Sequence, residues 1–268
     1  MNKTKIDWCD MSWNPVTGCR HNCEYCYARK IARRFAGGGY GKEMGMFIAK
    51  YKEEIFQPPY ELSEPQLAKT KDEWYREAPY PFGFEPTFHR YRLDEPKQKT
   101  KPRNIFVCSM ADLFGDWVPD KWIQDVFAAC EAAPQHRYIF LTKNTDRYEK
   151  IINNGIITVR DNYWFGTSAT NTEGVVYRRG QGMNTFVSIE PFLSEFRKCK
   201  DTDLLPNWVI IGAETGNRKE KVIPQRAWIE SIVEDCRAAG IPVFMKSSLT
   251  DIWGAPLIQE FPWGDAHD

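Results

Sequence analysis

Short β-rich segments alternate with amphipathic helical patterns along most of the chain. Several runs of apolar, β-branched and aromatic residues have the length of buried strands. Their alternation with helices is typical of parallel βαβ units rather than of a sandwich or a helical bundle. The predicted strands are Met11–Val16, Asn104–Ser109, Tyr138–Thr142, Trp164–Ser168, Thr185–Ile189, Trp208–Gly212 and Pro242–Lys246.

Three predicted helices have recognisable ends. One runs from Asp120 to Ala132 and stops before Pro134, and another runs from Gln225 to Ala239 and stops before Gly240. The first helix is predicted from about Glu24 to Phe35, ahead of three consecutive glycines. Because the predicted strands are one short of a closed eightfold barrel, we expect an α/β fold with a partial (β/α)6–7 TIM-like barrel.

Residues from about 40 to 101 break this rhythm and are rich in Pro, Tyr, Glu and Lys. A connection of that length inside a compact domain is usually functional, and its many aromatic residues argue against plain disorder. We therefore expect a single domain over residues 1–268, with this insertion after the first helix packed near the barrel mouth.

The composition fits one large core, since 42% of the 268 residues are hydrophobic. Lys plus Arg equal Asp plus Glu at 36 each, so no global positive field attracts nucleic acid. The first residues, Met1–Trp8, form no apolar signal segment, and no apolar run reaches the length of a membrane span. We expect a cytoplasmic protein without a membrane partner, whose cysteines are reduced.

Three cysteines, Cys19, Cys23 and Cys26, lie within eight residues directly after the first predicted strand. Ligand sites of parallel α/β folds gather at this position. Three thiolates can hold three irons of a four-iron cluster and leave the fourth iron for a small molecule. The alternative is a structural zinc site completed by Cys9 or His21, although paired C-x-x-C knuckles separated by a longer span are more usual for zinc.

The cysteine loop resembles the cluster motif of the radical SAM superfamily, C-x3-C-x2-C, with Tyr25 as the aromatic residue beside the adenine. Further segments resemble a phage-encoded radical-SAM family. Two of them, Ser109–Asp112 and Leu141–Lys143, are also similar to parts of spore photoproduct lyase, which acts on thymine in DNA. The segments of the phage-encoded family are Trp13–Cys19, Phe106–Phe114, Leu141–Lys143, Val187–Pro191 and Ile211–Gly216.

This resemblance implies a [4Fe–4S] cluster on Cys19, Cys23 and Cys26 that acts with S-adenosylmethionine (SAM). The reduced cluster would donate one electron to SAM, and the resulting 5′-deoxyadenosyl radical would abstract hydrogen from the substrate. Asp112 with Ser109 would hold the SAM amino group, although the familiar Gly-Gly-Glu signature is absent. By the same resemblance, the remaining candidate SAM contacts are Ser168, Glu190 and Glu214.

The resemblance also implies a role in DNA hypermodification in bacteriophage, where the enzyme would isomerise an amino-acid-modified thymidine in the cytoplasm of the infected host cell. An electron donor such as flavodoxin or ferredoxin would reduce the cluster. Lys143 and Lys246 follow predicted strands and would meet a phosphate or carboxylate of the substrate. Two alternatives stay open: a radical SAM enzyme acting on a peptide or small metabolite, and a non-enzymatic zinc-binding module associated with nucleic acid.

A duplex base would have to flip into the barrel mouth, with basic patches on the phosphates and aromatic rings on the base. Such patches are more often solvated faces, and such rings are more often ordinary packing. The neutral net charge also counts against tight non-specific DNA binding. The basic residues are Arg29, Lys30, Arg33, Arg34, Lys97, Lys99, Lys101, Arg103, Arg178 and Arg179, and the aromatic ones are Tyr60, Trp74, Tyr80, Phe82, Phe84, Phe88 and Tyr91.

Overall fold

A computed structural model describes residues 1–35, 59–69, 74–170, 182–196, 205–216 and 218–264. The strands are β1 (Asn2–Lys3), β2 (Met11–Trp13), β3 (Val16–Thr17), β4 (Tyr60–Leu62), β5 (Leu67–Lys69), β6 (Tyr75–Glu77), β7 (Thr87–His89), β8 (Asn104–Val107), β9 (Arg137–Thr142), β10 (Tyr163–Ala169), β11 (Asn184–Ile189), β12 (Trp208–Ile211) and β13 (Val243–Met245). The helices are α1 (Tyr27–Phe35), α2 (Asp120–Glu131), α3 (Asp146–Asn153), α4 (Arg226–Ala238) and α5 (Thr250–Trp253). Single 3₁₀ turns lie at Arg90–Arg92 and Ser247–Leu249.

An eight-stranded sheet in the order β1-β2-β8-β9-β10-β11-β12-β13 forms the centre of the molecule. Its neighbours from β2 to β13 pair in parallel, and β1 joins β2 antiparallel. Parallel pairing is thus observed from β2 to β13, with helices between β8 and β9, between β9 and β10, and between β12 and β13. Pairing runs in order from one end strand to the other, and among the described residues no pairing joins the two ends. The partial barrel stays a prediction.

The first predicted strand is divided in the structure. Its beginning is β2 in the large sheet, whereas its end is β3, which pairs with β7 in a separate three-stranded sheet. Pro15 lies between the two pieces, and proline has no N–H group to donate to a strand ladder. The predicted positions of α1, α2 and α4 are confirmed to within a few residues, and α3 was not predicted.

Aromatic packing on both faces fixes the strand ends. On one face, Phe127 of α2 stacks on Phe140 with ring centroids 4.7 Å apart. On the other face, Trp208 is fully buried and meets Trp263 near the end of the described chain at 5.2 Å. Gly166 leaves room for this packing, because a Cβ atom there would lie 2.2 Å from the Phe186 ring. Close packing of this kind resists small displacements, so the residues after each strand are held in place.

The described part of the insertion lies against the start of the chain. β7 pairs with both β3 and β4, and β5 pairs with β6 as a hairpin. The Phe84 carbonyl accepts a hydrogen bond from the Cys19 N–H at 3.2 Å, which joins the insertion to the cysteine loop. Within the described residues, no helix combines the length and the apolar character that crossing a membrane requires.

Candidate functional site

Polar and charged side chains collect where the parallel strands end. Because neighbouring strands in a parallel sheet end at the same edge, the residues after them are brought together. The cysteine loop reaches this edge through a bridge between Gly18 and Ala111, where the Gly18 N–H donates to the Met110 carbonyl at 2.9 Å. The residues at or just after the ends of successive strands at this edge are Asp112, Lys143, Ser168, Glu190, Glu214 and Lys246.

The cysteine loop is shaped by its backbone. Gly18 has a φ of +87°, and a Cβ atom on it would lie 2.2 Å from the Glu85 carbonyl oxygen, so only glycine fits. The Cys26 N–H donates to the Cys23 carbonyl at 3.2 Å, and the Arg29 N–H donates to the Cys26 sulfur at 3.3 Å. The loop therefore runs directly into α1 with its backbone partly satisfied.

The Cys19 thiol is affected by its burial and by the charged groups around it. Burial first, and then Asp112, Cys26 and Cys23, raise its pKa to about 12, although a backbone hydrogen bond opposes them. Without a bound metal, Cys19 is thus a neutral thiol at physiological pH. A metal would have to displace its proton, because thiolates rather than thiols are metal ligands.

Asp112 is a buried carboxylate at this edge of the sheet and is only 5% exposed. Its Oδ1 accepts hydrogen bonds from the Thr142 hydroxyl at 2.7 Å and from the Phe114 N–H at 3.0 Å. Its Oδ2 contacts His21 Nε2 at 2.7 Å and accepts from the Lys143 N–H at 3.0 Å. The predicted ligand of the SAM amino group is therefore engaged by four groups of the protein itself.

His21 links the cysteine loop to this carboxylate. Its ring also meets the Trp117 ring edge to face, with centroids 4.9 Å apart. Ser109, the other predicted contact of the SAM amino group, donates from its hydroxyl to the Asn14 side chain at 3.2 Å. The Ser109 carbonyl accepts from the Tyr27 hydroxyl at 2.7 Å. Ser109 therefore joins the start of α1 to the end of β8.

Lys143, Ser168 and Tyr25 form a second group at the edge. The Lys143 ammonium donates to the Ser168 hydroxyl at 3.0 Å and lies 5.5 Å from the centre of the Tyr25 ring. Burial raises the pKa of the Tyr25 phenol, Lys143 opposes this shift, and Cys23 adds to it. The predicted substrate lysine and the predicted adenine neighbour thus meet beside the cysteine loop.

Two ion pairs occupy the rest of the edge. Lys246 pairs with Glu190, and a Cβ atom on Gly212 would come within 2.9 Å of the Lys246 side chain. Arg218 forms two hydrogen bonds of 2.7 Å with the Glu214 carboxylate, which is buried. These bonds lower the pKa of Glu214, although burial acts in the opposite direction. The predicted residues Glu190, Glu214 and Lys246 therefore lie at one edge, with their charges neutralised in pairs.

Sequence reasoning missed two members of this site, the Thr142 partner of Asp112 and the Arg218 partner of Glu214. It named His21 as a possible zinc ligand, but not as a partner of Asp112. The available signals were the position of His21 inside the cysteine loop and the four-residue spacing between Glu214 and Arg218. Pairing of Asp112 with Thr142 has no signal in a single sequence, because the two residues are 30 positions apart.

The basic and aromatic candidates differ in their environments. Arg29 and several aromatic residues are engaged in internal contacts, whereas the other described basic candidates are exposed. Arg29 donates to the Cys19 carbonyl at 3.3 Å and lies over the Phe84 ring at 5.1 Å. Phe88 is fully buried and stacks on Trp122, and the Tyr60 ring stacks on another ring of the insertion. Trp74 is 77% exposed. Arg178 and Arg179 lie outside the described residues.

Comparison with known proteins identifies a family. The chain matches, over residues 3–255, the model of a family described as a protein of unknown function, DUF5131. Because the match covers most of the chain, the protein belongs to this family. No curated protein and no solved structure matches it.

The resemblance to the radical SAM superfamily, to its phage-encoded family and in part to spore photoproduct lyase is wrong. The family that matches is a different one, and no radical SAM family is found. Within the described ranges, no three His, Cys, Asp or Glu side chains are grouped so that they could hold a metal ion. The physical reason is that a short cysteine spacing fixes how far apart thiols lie along a loop, but not whether their sulfur atoms converge.

Proposed function

We propose that this protein is an enzyme that assembles a [4Fe–4S] cluster on Cys19, Cys23 and Cys26 and uses it to cleave SAM. The observation that carries the proposal is the position of three thiols in one loop, at the edge where the parallel strands end. Structural metal sites have no need of such a polar edge, whereas ligand sites of parallel sheets lie there. The proposal rests on these residues and not on a family resemblance.

The donor set suits iron. Thiolates are the usual ligands of iron–sulfur clusters, and three of them leave one iron open to a small molecule. The buried Nε of Arg29, in the helix that follows the loop, has no hydrogen-bond partner in the described part of the chain. A sulfur atom bound at the loop would offer an acceptor for this kind of group. Loading with iron requires the cysteine side chains to turn toward a common centre.

The residues around the loop have defined tasks in this proposal. A bound cluster would supply the electron that breaks the sulfonium bond of SAM. Asp112 is a positioning residue, because it holds the His21 ring and the Lys143 backbone with one oxygen. Tyr25 and Lys143 contact each other at the cysteine loop and would lie beside a bound ligand. Trp117, packed on His21, would help to exclude water from the loop.

A second candidate is a non-enzymatic zinc site with a nucleic-acid partner. It is favoured by one observation: His21 Nε2 contacts the Asp112 carboxylate, which is the arrangement that orients a histidine for metal binding through its other nitrogen. Three cysteines and His21 would then give a closed four-ligand set. The charged groups that follow β11, β12 and β13 have no task in this alternative.

For the substrate, we propose a modified nucleoside in DNA. An amino-acid-modified thymidine in phage DNA would be isomerised in the cytoplasm of the infected host cell, with flavodoxin or ferredoxin as electron donor. Lys143, at the edge of the sheet, supplies a cation for a phosphate of this substrate. A peptide or small metabolite is the alternative substrate, and the neutral net charge, which counts against tight non-specific DNA binding, is natural for it.

Anaerobic reconstitution tests the proposal. The wild-type chain, supplied with iron, sulfide, a reductant and SAM, should show a broad visible absorption band and release 5′-deoxyadenosine, measured by mass spectrometry. Cys23→Ala should abolish both, whereas Cys236→Ala, which removes a buried thiol on α4, should retain both. One bound zinc ion per chain and no 5′-deoxyadenosine would favour the second candidate. Neither metal bound would refute both.

The substrate is tested separately. Nucleosides are digested from phage DNA made with the wild-type gene or with the gene carrying Cys23→Ala, and their masses are compared. A modified thymidine that changes its chromatographic position without changing its mass supports isomerisation. Identical nucleosides in both samples would exclude the DNA substrate, and a peptide or small metabolite would then be the substrate to pursue.

A further inference from the structure

We infer that Lys143 is the group at the strand edge that binds the anionic part of a ligand, either a carboxylate or a phosphate. The inference rests on the proposed function only in taking this edge as the ligand site. It separates Lys143 from Lys246, which equally follows a strand of the sheet.

The first step is the charge balance of the edge. Lys246 pairs with Glu190, and Arg218 pairs with Glu214, so these cations are already neutralised. Lys143 forms no ion pair with any described residue. The ammonium contacts two neutral groups: the Ser168 hydroxyl at 3.0 Å, and Tyr25, whose ring centre lies 5.5 Å away and whose phenol also interacts with it.

The second step concerns Asp112, the buried carboxylate that is hydrogen-bonded to the Lys143 backbone. Asp112 accepts from the Lys143 backbone N–H, not from its ammonium. Its other contacts are with His21, Thr142 and Phe114. Both oxygens of the carboxylate are thus engaged by other groups, and neither is paired with the Lys143 ammonium.

The third step is the environment of the ammonium. Lys143 is partly buried, and removing a cation from water costs free energy unless a hydrogen bond or an opposite charge compensates. A hydroxyl and an aromatic ring compensate in part, and neither carries negative charge. An anion of the ligand would complete the set, since ammonium groups bind phosphates and carboxylates as compact point charges.

The position of Lys143 makes this group specific. Ser168 lies near the end of the next strand, β10, and Tyr25 lies between two of the loop cysteines. The ammonium therefore lies between the cysteine loop and the sheet, where a ligand at the loop would place its charged group. Two anions suit this place: the carboxylate of SAM and the phosphate of a nucleotide.

Pairs of ligands that differ by one charged group test the inference. Calorimetry compares SAM with its decarboxylated analogue, and thymidine 5′-monophosphate with thymidine, on the wild-type chain and on Lys143→Gln. In one pair, we expect Lys143→Gln to weaken the binding of the ligand with the anionic group by about 10- to 100-fold, and to leave the binding of the ligand without it unchanged. The affected pair identifies whether the anion is the carboxylate or the phosphate.

Control variants separate this role from others. Lys143→Arg keeps the positive charge and should restore part of the affinity, while Lys150→Gln removes an exposed positive charge on α3 and should have no effect. Lys143→Met, judged by thermal unfolding, serves if Lys143→Gln does not fold. If Lys143→Gln weakens the binding of both ligands of each pair equally, or weakens the binding of none, the inference is overturned.

The result is independent of the cluster. All four ligands are also titrated on the chain without iron, where charge discrimination through Lys143 should persist for the phosphate pair or the carboxylate pair. Charge discrimination without iron loading would retain the inference and remove the proposed function. Iron loading without charge discrimination would do the reverse. A loss of iron in Lys143→Gln would instead identify Lys143 as a counter-charge for the thiolates and overturn the inference.

Discussion

Replacing Asp112 by Asn should destabilise the fold, because this buried carboxylate receives bonds on both oxygens. An amide has one oxygen, and its NH₂ group must face one of two fixed backbone donors, the Lys143 N–H or the Phe114 N–H. A buried donor left without a partner costs about 1–3 kcal/mol, and the second lost contact, from His21 or Thr142, adds about 1 kcal/mol. We therefore expect a loss of about 2–4 kcal/mol in the free energy of unfolding.

Urea unfolding, monitored by tryptophan fluorescence, measures this loss, and the slope of the unfolding free energy against urea concentration should stay unchanged. Asp116→Asn is the matched control, because Asp116 is 89% exposed and accepts a bond from Asn144; its cost should stay within about 0.5 kcal/mol. Thr142→Val should cost about 1 kcal/mol alone and less in the Asp112→Asn background, since the two residues share one bond. A cost below about 1 kcal/mol for Asp112→Asn would refute the account of a carboxylate saturated by the protein.

Two further predictions concern the loop and the buried ion pair. Gly18→Ala should destabilise the chain and lower its iron content after reconstitution, because the new Cβ would overlap the Glu85 carbonyl oxygen. Gly83→Ala is the control, because Gly83 has a φ of +67° and no atom within 4 Å of a Cβ placed on it. This control should show only the backbone strain of about 1–2 kcal/mol. Equal unfolding free energies for the two variants would exclude the overlap. Arg218→Gln should lower stability most above pH 4.5, the ordinary pKa of Glu214, because a carboxyl with a lowered folded pKa loses its stabilising contribution as the pH falls. Urea unfolding of both chains across the acid range measures the difference, and a difference that grows toward acid pH would contradict this assignment.

Strand positions and helix stripes were largely predictable, because a buried parallel strand requires a continuous apolar run. Trp208–Ile211 and Asn104–Val107 read as such runs and are fully buried strands in the large sheet. The division of the first strand at Pro15 was less accessible, because it depends on β7 of the insertion, which supplies the partner for β3. The small sheet could not be predicted, since its strands are two or three residues long and gain their stability from packing alone.

The candidate residues lie together at one edge of the sheet, as their positions after predicted strands indicated, but their individual contacts were not accessible from the sequence. Asp112, Glu190 and Glu214 look alike as acidic residues after strands, yet one receives four contacts and the others pair with cations. Lys143 and Lys246 also look alike, and only contacts between distant segments distinguish them. A single sequence contains no record of such contacts when the partners are far apart along the chain.

The amino-acid sequence by itself determined the alternation of strands and helices, the parallel order of the sheet and the presence of three thiols in one loop. These features follow from local hydrophobic pattern and from spacing along the chain, which the sequence states directly. Tertiary structure alone decided which carboxylates are neutralised, which lysine keeps an uncompensated charge and how the sulfur atoms are placed. Those outcomes depend on distances between residues that the chain separates by tens of positions, and packing of the whole sheet sets them.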